Sequence, residues 1–470
     1  MAGIISFGAY VPVWRLGEAT KDWGSKAERS VTNFDEDSLT MSVAAATDCL
    51  AGLDRKAVDG LYVASTTFPY EEKQAASTIA TAADLGTSIF TADVGHSLRS
   101  GTIAVTMAMN AVKAGSGKRV LVTAADVRLG SPRSDVERNG GDGAAALLFG
   151  DTGEAATIEA QHAVTNEILD VWRAEGETTL RSWEDRFVFQ EGYLKAVGQC
   201  VTELLKKSGL KMEQFDKVIL SAPDARRHAE AVRLIKADPK KVQDPLFGKL
   251  GATGTAFALM QLVAALEEAK PDQCILVVNY GDGADALVVK TTARIADVQK
   301  LPRRGMKGFL ASKKAIGDYA DYLKWRGMYS ADSGVRRPAA SGPSPAALYR
   351  EQAEVLRFQG VKCNKCSTVQ YPPQRVCTIC HEKDNFTPTR LSDRRSKLFT
   401  YSMDYIAGTP DVPLVISVID FDIGGRAVLM MTDRDTKEVK IDMPLELTFR
   451  KLRLAGGIHN YYWKSMPVRG

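Results

Sequence analysis

The chain has 470 residues, enough for two or three domains with sizeable cores, and its 45% hydrophobic and 25% charged content is ordinary for a soluble globular protein. A net charge of +4 is too small to argue for a polyanion partner, and the longest apolar stretch, Ala256–Leu266, is too short to span a bilayer. The opening MAGIISFGAYVPVWRL lacks a basic n-region and reads as a strand, so no signal peptide, no membrane and a cytoplasmic location are expected.

From Met1 to about Ala296, strand-like runs alternate with helical segments, the pattern of an α/β fold. Strands are expected at Gly60–Ala64, Arg119–Thr123, Ala144–Phe149, Lys217–Ser221, Gln273–Asn279 and Ala286–Val289. Two helices, Gly101–Val112 and Gly254–Leu266, are apolar on nearly every face and belong in the middle of a layered domain. They open alike, with Ser100-Gly101-Thr102 and Thr253-Gly254-Thr255, and each leads to a buried strand and a Gly-Asp-Gly turn (Gly141-Asp142-Gly143, Gly281-Asp282-Gly283). A duplication within residues 1–300, with halves near 1–160 and 161–300, is the simplest reading; the alternative is that buried helices share composition by necessity.

Residues 301–345 form a basic extension ending in the Pro/Ser/Gly linker Pro338–Pro345. A helix follows at Ala346–Phe358, then Cys363-x2-Cys366 and Cys377-x2-Cys380. Two such knuckles around a ten-residue loop bring four thiolates to one point, the ligand set of a tetrahedral zinc. Four unrelated buried cysteines, or two redox pairs, are the alternatives. With every position taken by sulfur, the zinc would hold a fold and do no chemistry. Residues 346–387 are therefore read as a helix plus zinc ribbon, and the alternating runs of 388–470 as a small β-barrel. Cys49, Cys200 and Cys274 are scattered in apolar sequence, the usage of a reducing compartment.

The ribbon led in by LYREQAEVLRFQGVKC, with a barrel ending NYYWK, resembles the zinc-ribbon/OB-fold proteins that accompany thiolase-like enzymes acting on acyl-CoA. The first 300 residues resemble the ketoacyl synthase III and HMG-CoA synthase branch of the thiolase superfamily, through EDSLTMSVAAATDCL, GDGAAALLFGD, GATGTAFALMQL and YGDGADALVV. YADYLKWRG resembles the C-terminal segment of archaeal-type HMG-CoA synthases. The fold implied is a duplicated five-layer thiolase-like α/β domain with a C-terminal rubredoxin-like ribbon and OB-fold barrel.

The same resemblance implies a Cys-His-Asn set, and all three positions differ. The nucleophile position falls on Leu98, the histidine position on Asp224 and the asparagine position on Ala252. No cysteine lies between Ile89 and Leu121, so a shifted alignment does not restore the nucleophile. His96, Asp224 and His228 are the candidate catalytic groups, with Asp224 and His228 one helical turn apart as a conceivable acid–base pair. The bland reading is that His96 and Asp224 serve helix starts. Ser97 and Ser100 lack an evident base, and Glu71-Glu72 falls loosely where HMG-CoA synthases keep a glutamate. Gly251, Gly254, Gly281 and Gly283 would shape a pocket for pantetheine and thioester, and the basic tract Lys313–Arg337 could meet CoA phosphates.

An acyl-CoA thioester is the implied substrate. The leading expectation is carbon–carbon bond formation or cleavage without an acyl-enzyme. A non-catalytic subunit beside an active thiolase or synthase is the second, which makes a homodimer or a hetero-oligomer with a thiolase-like subunit the expected assembly. Nucleic-acid binding by the ribbon and barrel is a remote third, because no dense basic stripe is present.

Overall fold

The computed structural model describes residues 2–329 and 341–469. The chain forms two compact units: unit 1 is Met1–Thr32, Asp37–Ala80 and Leu85–Tyr319, and unit 2 is Asn33–Glu36, Thr81–Asp84 and Ala320–Gly470. The start of the expected linker at Pro338, with Arg336 and Arg337, lies outside the described residues.

In unit 1 the strands that build the site are β1 (Gly3–Tyr10), β2 (Gly60–Ala64), β3 (Phe90–Val94), β4 (Arg119–Asp126), β5 (Gly143–Gly150), β6 (Ala156–Thr165), the short β7 (Val171–Trp172) and β8 (Arg181–Ser182), β9 (Lys217–Leu220), β10 (Cys274–Tyr280) and β11 (Gly283–Thr291). The helices are α1 (Ser38–Cys49), α2 (Ser100–Lys113), α3 (Lys195–Ser208), α4 (Ala225–Leu234) and α5 (Phe257–Glu268). Nine strands form one sheet in the order β9-β10-β11-β6-β1-β5-β4-β2-β3, and β7 and β8 pair separately.

That order carries an internal symmetry. On one side β3, β2 and β4 are parallel, then β4 meets β5 and β5 meets β1 antiparallel. On the other, β9 and β10 are parallel, then β10 meets β11 and β11 meets β6 antiparallel. The counterpart of β3 is reduced to an isolated parallel bridge between Val218 and Val242. The halves join where Gly3 and Ile4 face Thr157 and Ala156. Strand order and direction thus repeat, as a duplicated fold requires.

The two matched helices meet between the halves. A Cβ on Gly101 would collide with the carbonyl oxygen of Thr255, so glycine there lets the two openings touch. Their burial differs, however. Helix α5 is sealed along Phe257–Val263. Helix α2 was expected to be enclosed in the same way, yet Met107 is 36% exposed and Asn110 and Lys113 also face solvent. The apolar composition of α2 exceeds what its own chain covers.

In unit 2, β12 (Gln359–Cys363), β13 (Val369–Gln370) and β14 (Phe386–Arg390) form a small sheet ordered β13-β12-β14. Five further strands, β15 (Ser396–Asp404), β16 (Leu414–Phe421), β17 (Arg426–Met431), β18 (Pro444–Ala455) and β19 (Ile458–Pro467), close into a barrel ordered β15-β16-β17-β19-β18. Strict alternation on β16 and β17 sends Val415, Ile419, Phe421, Ala427, Leu429 and Met431 inward.

One polar cluster is sealed in this unit. Arg450 bridges Asp35 at 3.1 Å and Glu36 at 2.9 Å and also pairs with Asp433, while Lys464 reaches Asp35 at 2.8 Å. Burial works to raise the Asp35 carboxyl, but Lys464 and Arg450 outweigh it and hold the group at about 2.

Candidate functional site

Strands β2, β3 and β4 run in one direction and β9 and β10 in the opposite one, yet the turns that leave their carboxyl ends meet, Gly281 lying against Leu98. β2 and β3 finish together at Ala64 and Val94, and Ala64 also faces Ala124 of β4. The loops leaving that edge carry Ser65–Thr67, Gly95–Arg99 and Asp126–Arg128. From the second half come Ser221–Asp224, after β9, and Gly281–Asp282, after β10. Carboxyl ends of parallel strands are where an open α/β sheet leaves room for ligands, because the loops there diverge.

Leu98, on which the expected nucleophile position falls, lies at this edge. Its carbonyl accepts from Asn279 Nδ2 at 3.1 Å, and a Cβ on Gly281 would stand 2.9 Å from the Leu98 Cβ. Gly281 is therefore required by the close approach of the two turns. Beside it, Arg99 donates to the Val164 carbonyl at 2.7 Å and faces Asp285, which accepts from the Thr102 hydroxyl at 2.6 Å. These contacts fix the start of α2 without a thiol.

Asp224 is the N-cap of α4. Its carboxylate accepts the Arg227 backbone N–H at 2.9 Å and pairs with the Arg227 guanidinium, which also pairs with Asp185. His228 shares the helix but not the partner. Burial lowers its imidazole pKa, with Asp244 opposing, its ring lies 6.4 Å from Phe247, and its buried Nε2 has no hydrogen-bond partner among the described residues. No hydrogen bond joins Asp224 and His228 side chains among the described residues. His96 has φ of 71° and is exposed, and Glu71 and Glu72 are exposed too.

Ala252 is held by backbone bonds, accepting from Gly141 N at 3.0 Å and donating to the Asn139 carbonyl at 2.8 Å. Gly251, Gly254 and Gly283 lie against Gly140, Asp126 and Val164 respectively. Ser100 Oγ donates to the Gly95 carbonyl at 3.0 Å. Cys200 is sealed in the second-half core, 3.4 Å from the Ala284 carbonyl, and burial pushes its thiol up to about 12. Of the basic tract, Lys313 pairs with Glu28 at 2.6 Å and Lys324 with Asp321 at 3.2 Å.

Sequence reasoning missed Asp126, the hub of this edge. One carboxylate oxygen accepts from Ser65 Oγ, Thr66 N, Thr66 Oγ1 and Thr67 Oγ1 at 2.7–3.1 Å, and the other from Thr255 N at 2.8 Å. Five donors on one fully buried carboxylate tie a loop of the first half to the opening of α5. The available signal was an acid at the end of an otherwise apolar strand, RVLVTAAD.

In unit 2 the four cysteine sulfurs lie within 4.8 Å of one another, with closest approaches of 3.4 Å (Cys366–Cys377) and 3.6 Å (Cys363–Cys380). Thiolates on a tetrahedron about 2.3 Å from a zinc stand roughly 3.8 Å apart, so the donor set fits that ion. The knuckles are built alike. Ser367 N donates to the Cys363 carbonyl at 2.9 Å and His381 N to the Cys377 carbonyl at 3.1 Å, with φ of 63° at Ser367 and 57° at His381.

Residues 350–386 match the family described as ChsH2, rubredoxin-like zinc ribbon domain. A hydroxymethylglutaryl-CoA synthase of Archaeoglobus fulgidus is 31% identical over 343 residues, covering 69% of this chain and 98% of that protein. One from Pyrobaculum arsenaticum is 30% identical over 343 residues, with 69% and 98% covered. Among solved structures, an HMG-CoA synthase complexed with CoA aligns at a TM-score of 0.62 and 17% identity, covering 73% of this chain and 94% of that one. The expected thiolase-like fold is what that alignment shows, and none of the described helices is long and apolar enough to cross a membrane. With the relatives matched along nearly their whole length, the chain belongs to the hydroxymethylglutaryl-CoA synthase family, extended by a ChsH2-type zinc ribbon and a β-barrel.

Proposed function

We propose that this protein binds an acyl-CoA thioester at the strand-end edge of unit 1 and handles the acyl group without forming an acyl-enzyme. The observation that carries this reading is Leu98. A hydrocarbon side chain stands at the start of α2, where the family's nucleophile would sit, and Asn279 and Gly281 hold it there. Leucine offers no lone pair to a thioester carbon, so covalent transfer at that position is closed. Asp224 is engaged by Arg227, which leaves it poorly placed as a free base.

Two kinds of action remain. One is a subunit that holds acyl-CoA beside an active thiolase-like partner. The exposed side of α2 at Met107 favours it, together with the edge strand β3, where Phe90 is 63% exposed and one side of the strand carries no ladder. The other is non-covalent carbon–carbon bond chemistry of the aldol or retro-aldol type, favoured by His228, which burial biases to the neutral imidazole and whose Nε2 has no hydrogen-bond partner among the described residues. The cysteine cluster would hold a structural zinc, and the location would be cytoplasmic.

Intact-mass spectrometry after incubation with acetyl-CoA and acetoacetyl-CoA, paired with calorimetry, tests the reading. Micromolar binding with no mass adduct is expected. A stable acyl adduct, or no binding of any acyl-CoA, would overturn it.

A further inference from the structure

Strand β17 of the barrel has one edge in use and one nearly free. The first is laddered to β16 throughout, from Arg426 facing Asp420 to Met431 facing Val415, with no bulge. The second pairs with β19 at one position, Met431 with Ser465, so Arg426–Met430 has no ladder there among the described residues. β19 instead follows β18 along its length, from Ile458 facing Ala455 to Pro467 facing Leu445. An unpaired edge is a template for another strand, and proteins ordinarily blunt it with lysine, proline, a bulge or a cover. The middle of β17, Ala427–Met430, has no charge, proline or bulge, and Val428 at its centre is 63% exposed. The one charge of the strand, Arg426, is held at its start by Asp420 at 2.6 and 2.9 Å.

Beside the free edge, β17 and β19 part around an apolar wedge. A cavity of about 250 Å³ is lined there by Val428 and Met430, by half-buried Leu452 and Tyr462, and by sealed Leu429 and Trp463. The Tyr462 hydroxyl is engaged by Tyr371, so the side chain offers the wedge its ring. The rim is cationic. Lys451 and Arg453 flank Leu452, and neither side chain has a hydrogen bond or ion pair with a described residue. The acids of β16–β19 are Asp420, taken by Arg426, and Glu446, which accepts from Arg469 N at 3.3 Å.

The geometry points to β17 as a docking edge that takes an extended segment of another protein as an added strand. Valine, isoleucine or leucine at alternate positions of that segment fills the wedge, and aspartate or glutamate between them meets Lys451 and Arg453. Main-chain bonds to β17 give affinity, and the alternation of side chains gives specificity. An acyl chain would fill the wedge but leave the edge unpaired, and a second copy of this chain would present the same cationic rim. Acyl-CoA binding in unit 1 plays no part in it.

A displayed library of random linear peptides, panned on the full chain after depletion on Val428→Lys, supplies the probe. Aliphatic and acidic residues should alternate in the enriched sequences. Fluorescence anisotropy of a synthetic copy of the most frequent peptide should give a Kd of about 1–100 μM. N-methylation of the alternate amides on one edge of the peptide should weaken binding at least about tenfold, and methylation of the other set less than about threefold, because only one edge of an added strand meets β17. Arg453→Glu should weaken binding about three- to tenfold through the lost charge pair. The methylated peptides act on the native chain, so they decide the matter even where Val428→Lys fails to fold. Failure to enrich any peptide, enrichment of basic or patternless sequences, or equal effects of the two methylated sets would overturn the inference. Sedimentation in which the native chain self-associates and Val428→Lys does not would assign the edge to a second copy and overturn it as well.

Discussion

The ribbon of unit 2 and the strand-end edge of unit 1 make an instructive pair. Both are places where a family pattern dictates residue types at fixed spacing. At the ribbon every ligand position is filled, and the four sulfurs fall where a tetrahedral ion needs them. At the edge the glycine turns and the Asp126 hub are in place, while the three positions expected to carry the chemistry read Leu98, Asp224 and Ala252. The lesson is that a scaffold and its chemistry are separable. The contacts holding Leu98 and Ala252 run through backbone groups and neighbouring glycines, so these positions change side chain without disturbing the fold.

The largest expected effect lies on the ribbon. Chelation of the metal, or Cys363→Ser, should unfold it, since binding of a structural zinc is worth on the order of 10 kcal/mol of folding free energy. Loss of protection across Gln359–Arg390 in hydrogen exchange would register this, and acyl-CoA binding by unit 1 should survive. Joint loss of both would break the contrast between the two regions.

Next comes the attempt to refill the edge. Leu98→Cys should yield a thiol that alkylating reagents modify, yet turnover should stay roughly 100- to 10,000-fold below that of an enzyme with its base in place, because Asp224 remains bound to Arg227. Acylation by acetyl-CoA at a rate matching active synthases, followed by stopped-flow mass analysis, would show that the edge is one substitution from activity.

A smaller effect comes from the sealed ions of unit 2. Asp35→Asn leaves Arg450 and Lys464 short of a counter-charge and should cost about 3–5 kcal/mol in chemical denaturation. Acid acts on the same group. Because the folded Asp35 carboxyl titrates at about 2, below its ordinary 3.8, its stabilisation is complete above pH 4 and fades as pH falls toward 2. That amounts to about 2 kcal/mol, which a pH series of melts would show as a fall absent from Asp35→Asn. The smallest effect returns to the knuckles. Ser367→Gly or His381→Gly relieves a left-handed backbone and should gain about 0.5–1 kcal/mol in the metal-loaded chain.

Much of the fold was legible because its signals are local. The six expected strands of the first 300 residues lie on β2, β4, β5, β9, β10 and β11, and the matched Gly-Thr openings do meet. The exposure of Met107 was not legible, since composition reports how apolar a helix is and not what covers it. The ionic cluster was hidden for another reason: Asp35 and Arg450 are 415 residues apart, and no spacing rule reaches that far. At the edge, aligned motifs pointed to Leu98, Asp224 and Ala252, whereas the tie between Asp224 and Arg227 depends on side-chain directions that no pattern encodes.

That separation of Asp35 from its partners bears on how the protein is made. The acid leaves the ribosome early, and its arginine follows 415 residues later, roughly 20–80 s at ordinary synthesis rates. Throughout that interval Asp35 lacks Arg450 and Lys464, so the sealed cluster of unit 2 forms only as β18 and β19 emerge. A nascent or truncated chain ending before Arg450 would carry Asp35 hydrated and the cluster unformed, which makes the last strands the step that completes the molecule.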